Sequence, residues 1–315
     1  MNTLYELHQH DGLQIDSLTD ESAGLRIQVN RHGAELISIA RRASNGNWTG
    51  FLYRDADTST PPDGWKNHAT LMGYYIHRLL DEQSAYRGHT IRGGTHSFLR
   101  HKDFAPPAVD TIHGALTYTI GPADYTPEEY PFKVQLTLTY TLLPSPDNPQ
   151  LQVTFDFQNI EPAQSSHVSF GLHPGFALHS LAQGQVLLPP GAYIRHMAPG
   201  NFLSGETIRI DHPGGPMPFP KADLPGSFIL GLAHVPDPIF IVEDPAAHRR
   251  TVLDYRQAPY LTLWSNGHAF ICVEPCWGLP DHQAQRPFDQ KEGIQEIPPA
   301  ARITHSFTIQ PQLMD

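Results

Sequence analysis

The 315-residue sequence predicts one large all-β domain, a sandwich or barrel of antiparallel strands with very little helix. Three observations carry this reading. Apolar and polar residues alternate with a period of two over many short stretches. Thirty prolines and twenty-five glycines punctuate nearly every gap between those stretches. No stretch carries the sustained 3.6-residue apolar stripe that a half-buried helix shows.

Taken in order, residues 1–20 form a polar N-terminal segment expected to fray, with His8 and His10 read as solvated side chains on a mobile end. A single domain spans 21–315, with no interdomain linker, fixed-period repeat or low-complexity tract. Residues 25–29 alternate, and a turn at Arg31-His32-Gly33 leads to a second strand over 35–40. Residues 45–67 read as a long, insertion-like loop carrying Trp48, Trp65 and a Pro61-Pro62-Asp63-Gly64 turn. Residues 71–80 read as an apolar strand running into Arg78, and 88–94 as a short strand between turns. The clearest pattern is a long antiparallel hairpin. Phe132 to Leu142 and Leu151 to Phe157 alternate apolar with Thr, Gln and Lys, giving one buried and one wetter face across a turn at 144–149. Short strands follow near 185–188, 239–242, 260–264, 270–274 and 303–309.

Composition limits the partners. A net charge of −11 argues against nucleic acid or an anionic membrane, both of which select basic patches. It fits a neutral or locally managed substrate. No signal-peptide pattern or membrane-length apolar run is present, so a soluble, cytoplasmic protein is expected. The two cysteines, Cys272 and Cys276, make neither a disulfide framework nor a four-ligand zinc site, and four residues apart in a strand they are too distant to bond. GxGxxG, P-loop, HExxH and GxSxG motifs are all absent.

Two stretches combine chemistry with stiff backbone. Phe170-Gly171-Leu172-His173-Pro174-Gly175-Phe176 and Ile271-Cys272-Val273-Glu274-Pro275 each set an ionisable residue directly before a proline. Proline fixes its own φ and pushes the preceding residue into extended geometry. An imidazole and a carboxylate held this way suit general acid–base chemistry. With nineteen histidines in the chain, a buried, backbone-bonded His173 is the plain alternative. Glu274 carries the stronger signal. Period-2 geometry puts it on one face with Phe270 and Cys272, where a carboxylate has to be paired, protonated or functional. Around them, His96 and Arg100 follow a Gly93-Gly94 turn, and Arg78 closes an apolar run where its guanidinium needs a partner such as a sugar hydroxyl or Glu274. Trp264 and Trp277 flank Glu274 in sequence; either stacks on a sugar face or belongs to the core.

Together these segments resemble the aldose 1-epimerase (galactose mutarotase-like) superfamily, particularly its LacX-like bacterial branch. The motifs stand in the family's order. They are Gly33-Ala34-Glu35-Leu36, Ile76-His77-Arg78-Leu79, His96-Ser97-Phe98-Leu99-Arg100, Gly171-Leu172-His173-Pro174-Gly175-Phe176, and Leu263-Trp264 followed by Val273-Glu274-Pro275. The resemblance implies a β-supersandwich with a sugar cleft and an aldose 1-epimerase (mutarotase) activity, an isomerase of carbohydrate metabolism. It implies His173 and Glu274 as the catalytic acid and base, and Arg78, His96, Arg100 and Trp264 as substrate-binding residues. It calls for no cofactor or metal, a monosaccharide or sugar-derivative substrate, and a monomer or homodimer.

The sequence departs from the family pattern at three places: His77 where glycine is commoner, Ser97 in place of the glycine after His96, and Cys276 between Pro275 and Trp277. No counterpart of the family's substrate-orienting aspartate is placed. Two rival readings keep the scaffold. One is a non-catalytic carbohydrate-binding protein. The other is a sugar-phosphate mutarotase, which needs cations at the cleft rim; Arg249-Arg250 could provide them, though exposed turn arginines are their default reading.

Overall fold

The long hairpin sets the frame. Val134–Leu143 and Gln150–Asn159 pair antiparallel, Leu136 against Phe157 and Leu138 against Phe155. Each strand alternates between fully and partly buried residues, so one face makes the core and the other meets solvent. The computed structural model describes residues 3–62, 64–145, 147–217 and 226–314, so Asp63 and Pro146 of the two expected turns lie outside the described residues.

The hairpin sits within a nine-stranded sheet, flanked by Arg302–Leu313 on one side and Ala115–Ile120 on the other. Its inner face packs on a seven-stranded sheet whose order is Thr207–His212, Gly191–His196, Phe228–His234, Tyr260–Trp264, Phe270–Trp277, Phe170–Ala177 and Ala69–Met72. Phe155 meets both Phe170 and Trp277 across the interface, with ring centroids 5.1 and 6.1 Å apart. Five single 3₁₀ turns are the only helical elements among the described residues. The antiparallel, almost helix-free architecture is the one the alternation predicts. No described helix is long and apolar enough to cross a membrane.

The N-terminal segment does not fray. Leu4–His10 and Leu13–Asp20 are strands of a five-stranded sheet continued by Leu25–Asn30, Glu35–Arg42 and Trp48–Gly50. What anchors them is a buried carboxylate. Asp16, fully buried, accepts hydrogen bonds from Arg31 Nε and Nη2 at 2.9 and 2.8 Å, from the Tyr5 hydroxyl at 2.8 Å, and from the Tyr118 hydroxyl at 2.9 Å. Tyr118 belongs to the nine-stranded sheet, so this network joins the two sheets. Local polarity hid the pairing; His8 and His10 are exposed, as expected.

The strand expected over 71–80 is shorter. Only Ala69–Met72 pairs, and the chain leaves the sheet at Gly73, where a Cβ would meet Leu99 Cδ1 at 2.8 Å. The loop expected over 45–67 holds the short strand Trp48–Gly50 and then reaches the outer face of the seven-stranded sheet.

Candidate active site

The outer face of the seven-stranded sheet carries the site, and strand register builds it. Gly171 pairs with Cys276 and Gly175 with Cys272, which puts His173 opposite Glu274 on neighbouring strands. Thr70 is the partner of His173 on the other side, and Thr262 the partner of Glu274. Directly opposed residues of antiparallel strands share a face. A polar row Thr70, His173, Glu274, Thr262 therefore crosses four strands. The alternate residues Phe170 and Trp277 point into the core and stack at 5.0 Å. This settles the ambiguity over the tryptophans: Trp277 is core, and Trp264 lines the cleft.

Phe270, Cys272 and Glu274 share the cleft face, as period-2 geometry requires; Phe270 stacks on Trp65 with centroids 5.4 Å apart. Both cysteines are free and buried. Cys276, two residues beyond Glu274, sits on the same face against the Thr262 hydroxyl, its sulfur 3.6 Å from Oγ1. The glycines beside His173 clear space on that face. A Cβ on Gly175 would lie 2.5 Å from Trp65, and one on Gly171 would lie 2.5 Å from the Pro275 carbonyl.

A cavity of about 310 Å³ opens over this row. All six residues singled out in the sequence line it: His173, Glu274, Arg78, His96, Arg100 and Trp264. Sequence reasoning missed Trp65, Thr70, His77, Thr95, Asn201 and Ser227, which complete the lining. Only His77 left a trace, as a departure from the family pattern.

Polar atoms in the cavity floor lack partners. His173 Nε2 stands 3.3 Å from Glu274 Oε1, at ion-pair distance but without hydrogen-bond alignment. Both Glu274 oxygens, His173 Nδ1 and Thr70 Oγ1 are buried with no hydrogen-bond partner among the described residues. Native interiors rarely leave such groups unsatisfied, so this row has polar atoms free to take water or a polar ligand. Burial raises the Glu274 carboxyl well above the usual range. Burial, together with the charge of Arg100, pushes the His173 imidazole down to about 3. Desolvation disfavours the charged form of each group, so burial favours the neutral pair over the ion pair. The neutral pair and the ion pair hold the same number of protons and differ by one proton shifted between Oε1 and Nε2.

His96 is fixed by its neighbour. The His77 amide donates to His96 Nδ1 at 3.0 Å, and the His96 amide donates to the His77 carbonyl at 2.8 Å. Burial keeps the His96 ring neutral, so its proton resides on Nε2, which makes that atom a donor. With the Asn67 amide turned to satisfy both donors, its oxygen accepts from Arg100 Nη2 at 2.8 Å and from Trp65 Nε1 at 3.1 Å. Arg78 differs from expectation. Its side chain is exposed and pairs with neither Glu274 nor any other described residue, while its carbonyl accepts from the Asp281 amide at 3.1 Å. Arg249 and Arg250 lie outside the cavity lining, on the nine-stranded sheet, paired with Asp244 and Glu243.

The model of the family described as aldose 1-epimerase matches residues 16–188. The chain belongs to the aldose 1-epimerase family. Membership implies an isomerase-type enzyme acting on sugars. Solved structures of this shape cover nearly whole chains. A galactose mutarotase related enzyme from Lactobacillus acidophilus superposes with TM-score 0.81 at 20% identity, over 99% of each chain. A galactose mutarotase-like protein from Lactobacillus casei gives 0.77 at 23%, over 98% of this chain and 100% of the other. A galactose 1-epimerase from Lactobacillus acidophilus gives 0.72 at 13%, over 99% of each. At these identities the likeness establishes the galactose mutarotase-like fold. No curated protein matches the sequence.

Proposed function

We propose that the protein interconverts the α and β anomers of an aldohexose or related sugar by acid–base ring opening and closure. One observation carries the reading: His173 Nε2 and Glu274 Oε1, 3.3 Å apart in the floor of a sugar-sized cleft, with their remaining polar atoms unsatisfied.

Opening a cyclic hemiacetal takes the proton from the anomeric hydroxyl, breaks the bond between C1 and the ring oxygen, and gives that oxygen a proton. Glu274 as carboxylate accepts the first proton and His173 as imidazolium supplies the second. This leaves the pair neutral, the state favoured in the empty cleft. Rotation about C1–C2 and reversal of both transfers closes the ring on the other face of the carbonyl. Arg78 and Arg100, both in the cleft lining, orient hydroxyls and stabilise negative charge developing on the ring oxygen. His96 Nε2–H donates to a sugar oxygen, and Trp65 and Trp264 offer faces for its C–H surface. A positioned acid or base typically contributes about 10²–10⁴-fold. The steps use no metal or cofactor.

The test is a panel of freshly dissolved pure anomers of common aldoses, followed by NMR with and without protein. Accelerated equilibration of at least one sugar supports the reading. Binding without acceleration would instead make the protein a carbohydrate-binding module. Acceleration confined to sugar phosphates would identify the substrate as phosphorylated, with Arg78 as the available cation.

A further inference from the structure

The cleft contains an imidazole that the acid–base scheme does not use. His77 lines the cavity, is buried, and sits at φ +57°, in the left-handed region that glycine adopts freely and side chains adopt at a cost. Its Nε2 is wholly buried without a hydrogen-bond partner among the described residues. A strained backbone carrying an unsatisfied imidazole into a ligand cavity is poorly explained by stability alone, because glycine would relieve both penalties. The backbone of His77 is meanwhile clasped to His96 by two hydrogen bonds, so the ring is held in place.

The rings form a wall. His77 lies 5.7 Å from His96 by ring centroid, and His96 lies 5.4 Å from His173. The anomeric carbon belongs at the His173–Glu274 end. His77, beyond His96 and next to Arg78, therefore meets the part of the sugar remote from the reacting bond. Burial and the charge of Lys291 keep the ring neutral, with one nitrogen donating and one accepting, which matches a hydroxyl.

From this we infer that His77 is a specificity-determining residue: it hydrogen-bonds a sugar hydroxyl distant from C1 and fills space that excludes bulkier substituents there. The inference rests on the anomer-exchange reading for its kinetic form, but its binding form stands without it.

The experiment compares wild type with His77→Gly and His77→Asn over the same aldoses, measuring KM, kcat and thermal unfolding. Glycine accepts φ +57° without strain, so His77→Gly is expected to fold with a midpoint at or above wild type. Losing one neutral hydrogen bond is expected to raise KM for the preferred sugar by about three- to tenfold, with a smaller change in kcat. Sugars carrying larger substituents gain relative to it. Asparagine, which tolerates left-handed backbone, recovers part of the KM. Unchanged KM values and sugar ranking in His77→Gly would overturn the inference, as would a loss confined to kcat. If wild type exchanges no anomer, the enzymatic reading fails. Sugar dissociation constants of wild type and His77→Gly, measured by ligand-observed NMR, then decide the question: a three- to tenfold weakening supports His77, and equal constants or no binding at all overturn it.

Discussion

Burial of the Glu274 carboxyl makes the stability of the protein depend on pH. In the unfolded chain this group titrates as an ordinary carboxylate; in the folded cleft its pKa is raised by desolvation. The native state therefore binds the extra proton more tightly. Stability from this group is complete below the unfolded pKa and is lost as pH rises toward the folded value. Glutamine keeps the shape and removes the titration. Glu274→Gln is accordingly expected to gain stability over wild type as pH rises from 5 to 8, seen as a growing difference in urea midpoint. A constant difference across that range would mean that Glu274 is ionised in the folded protein. This residue was legible because period-2 alternation placed a carboxylate on an apolar strand face. The protonation state of His173 was not. It depends on how completely its ring is enclosed by Trp65, Trp264 and the sheet, and those contacts come from distant segments.

At the scale of elements, four neighbouring strands floor the cleft and several loops wall it. Gly175 stands in register with Cys272 and is overlain by Trp65. Alanine there would put a methyl group 2.5 Å from the indole and displace it. Gly175→Ala is expected to cost about 1–3 kcal/mol of stability from overpacking. It should also raise the KM for sugar several-fold as the indole moves out of the cleft. Equilibrium unfolding and steady-state kinetics check both, and an unchanged KM would mean that Trp65 does not contact substrate. Local alternation made most strands readable in the sequence, including the hairpin and the Glu274 strand. The strand expected over 71–80 was too long because apolar character persists after Met72, where the chain turns out of the sheet and buries Tyr74, Tyr75 and Ile76 in other ways. Residues 45–67 gave no sign of reaching the cleft, since an irregular loop has no periodicity to say which face it covers.

Across the whole molecule, the sheets are held together by contacts invisible to local pattern. Asp16 joins the five-stranded sheet to the nine-stranded one through Arg31, Tyr5 and Tyr118. Removing one partner of a buried, paired charge is typically worth about 3–5 kcal/mol. Asp16→Ala should lose stability on that scale while leaving the KM for sugar unchanged at a temperature where the variant remains folded. A shifted KM would show that the N-terminal sheet communicates with the cleft. The polar character of residues 4–20 pointed to a frayed end, because the partner strands and the buried network that order this segment are encoded elsewhere. The order of family motifs along the chain, by contrast, was enough to anticipate which side chains converge in one cavity.

The central claim is that Glu274 and His173 together move the two protons of ring opening. It is tested most directly by magnetisation-exchange NMR of an equilibrated aldose that wild type turns over, comparing wild type with Glu274→Gln and His173→Ala at equal concentrations of folded protein. The account predicts that each variant slows anomer exchange by at least about 100-fold, with sugar binding retained. Exchange at the wild-type rate in either folded variant would contradict it.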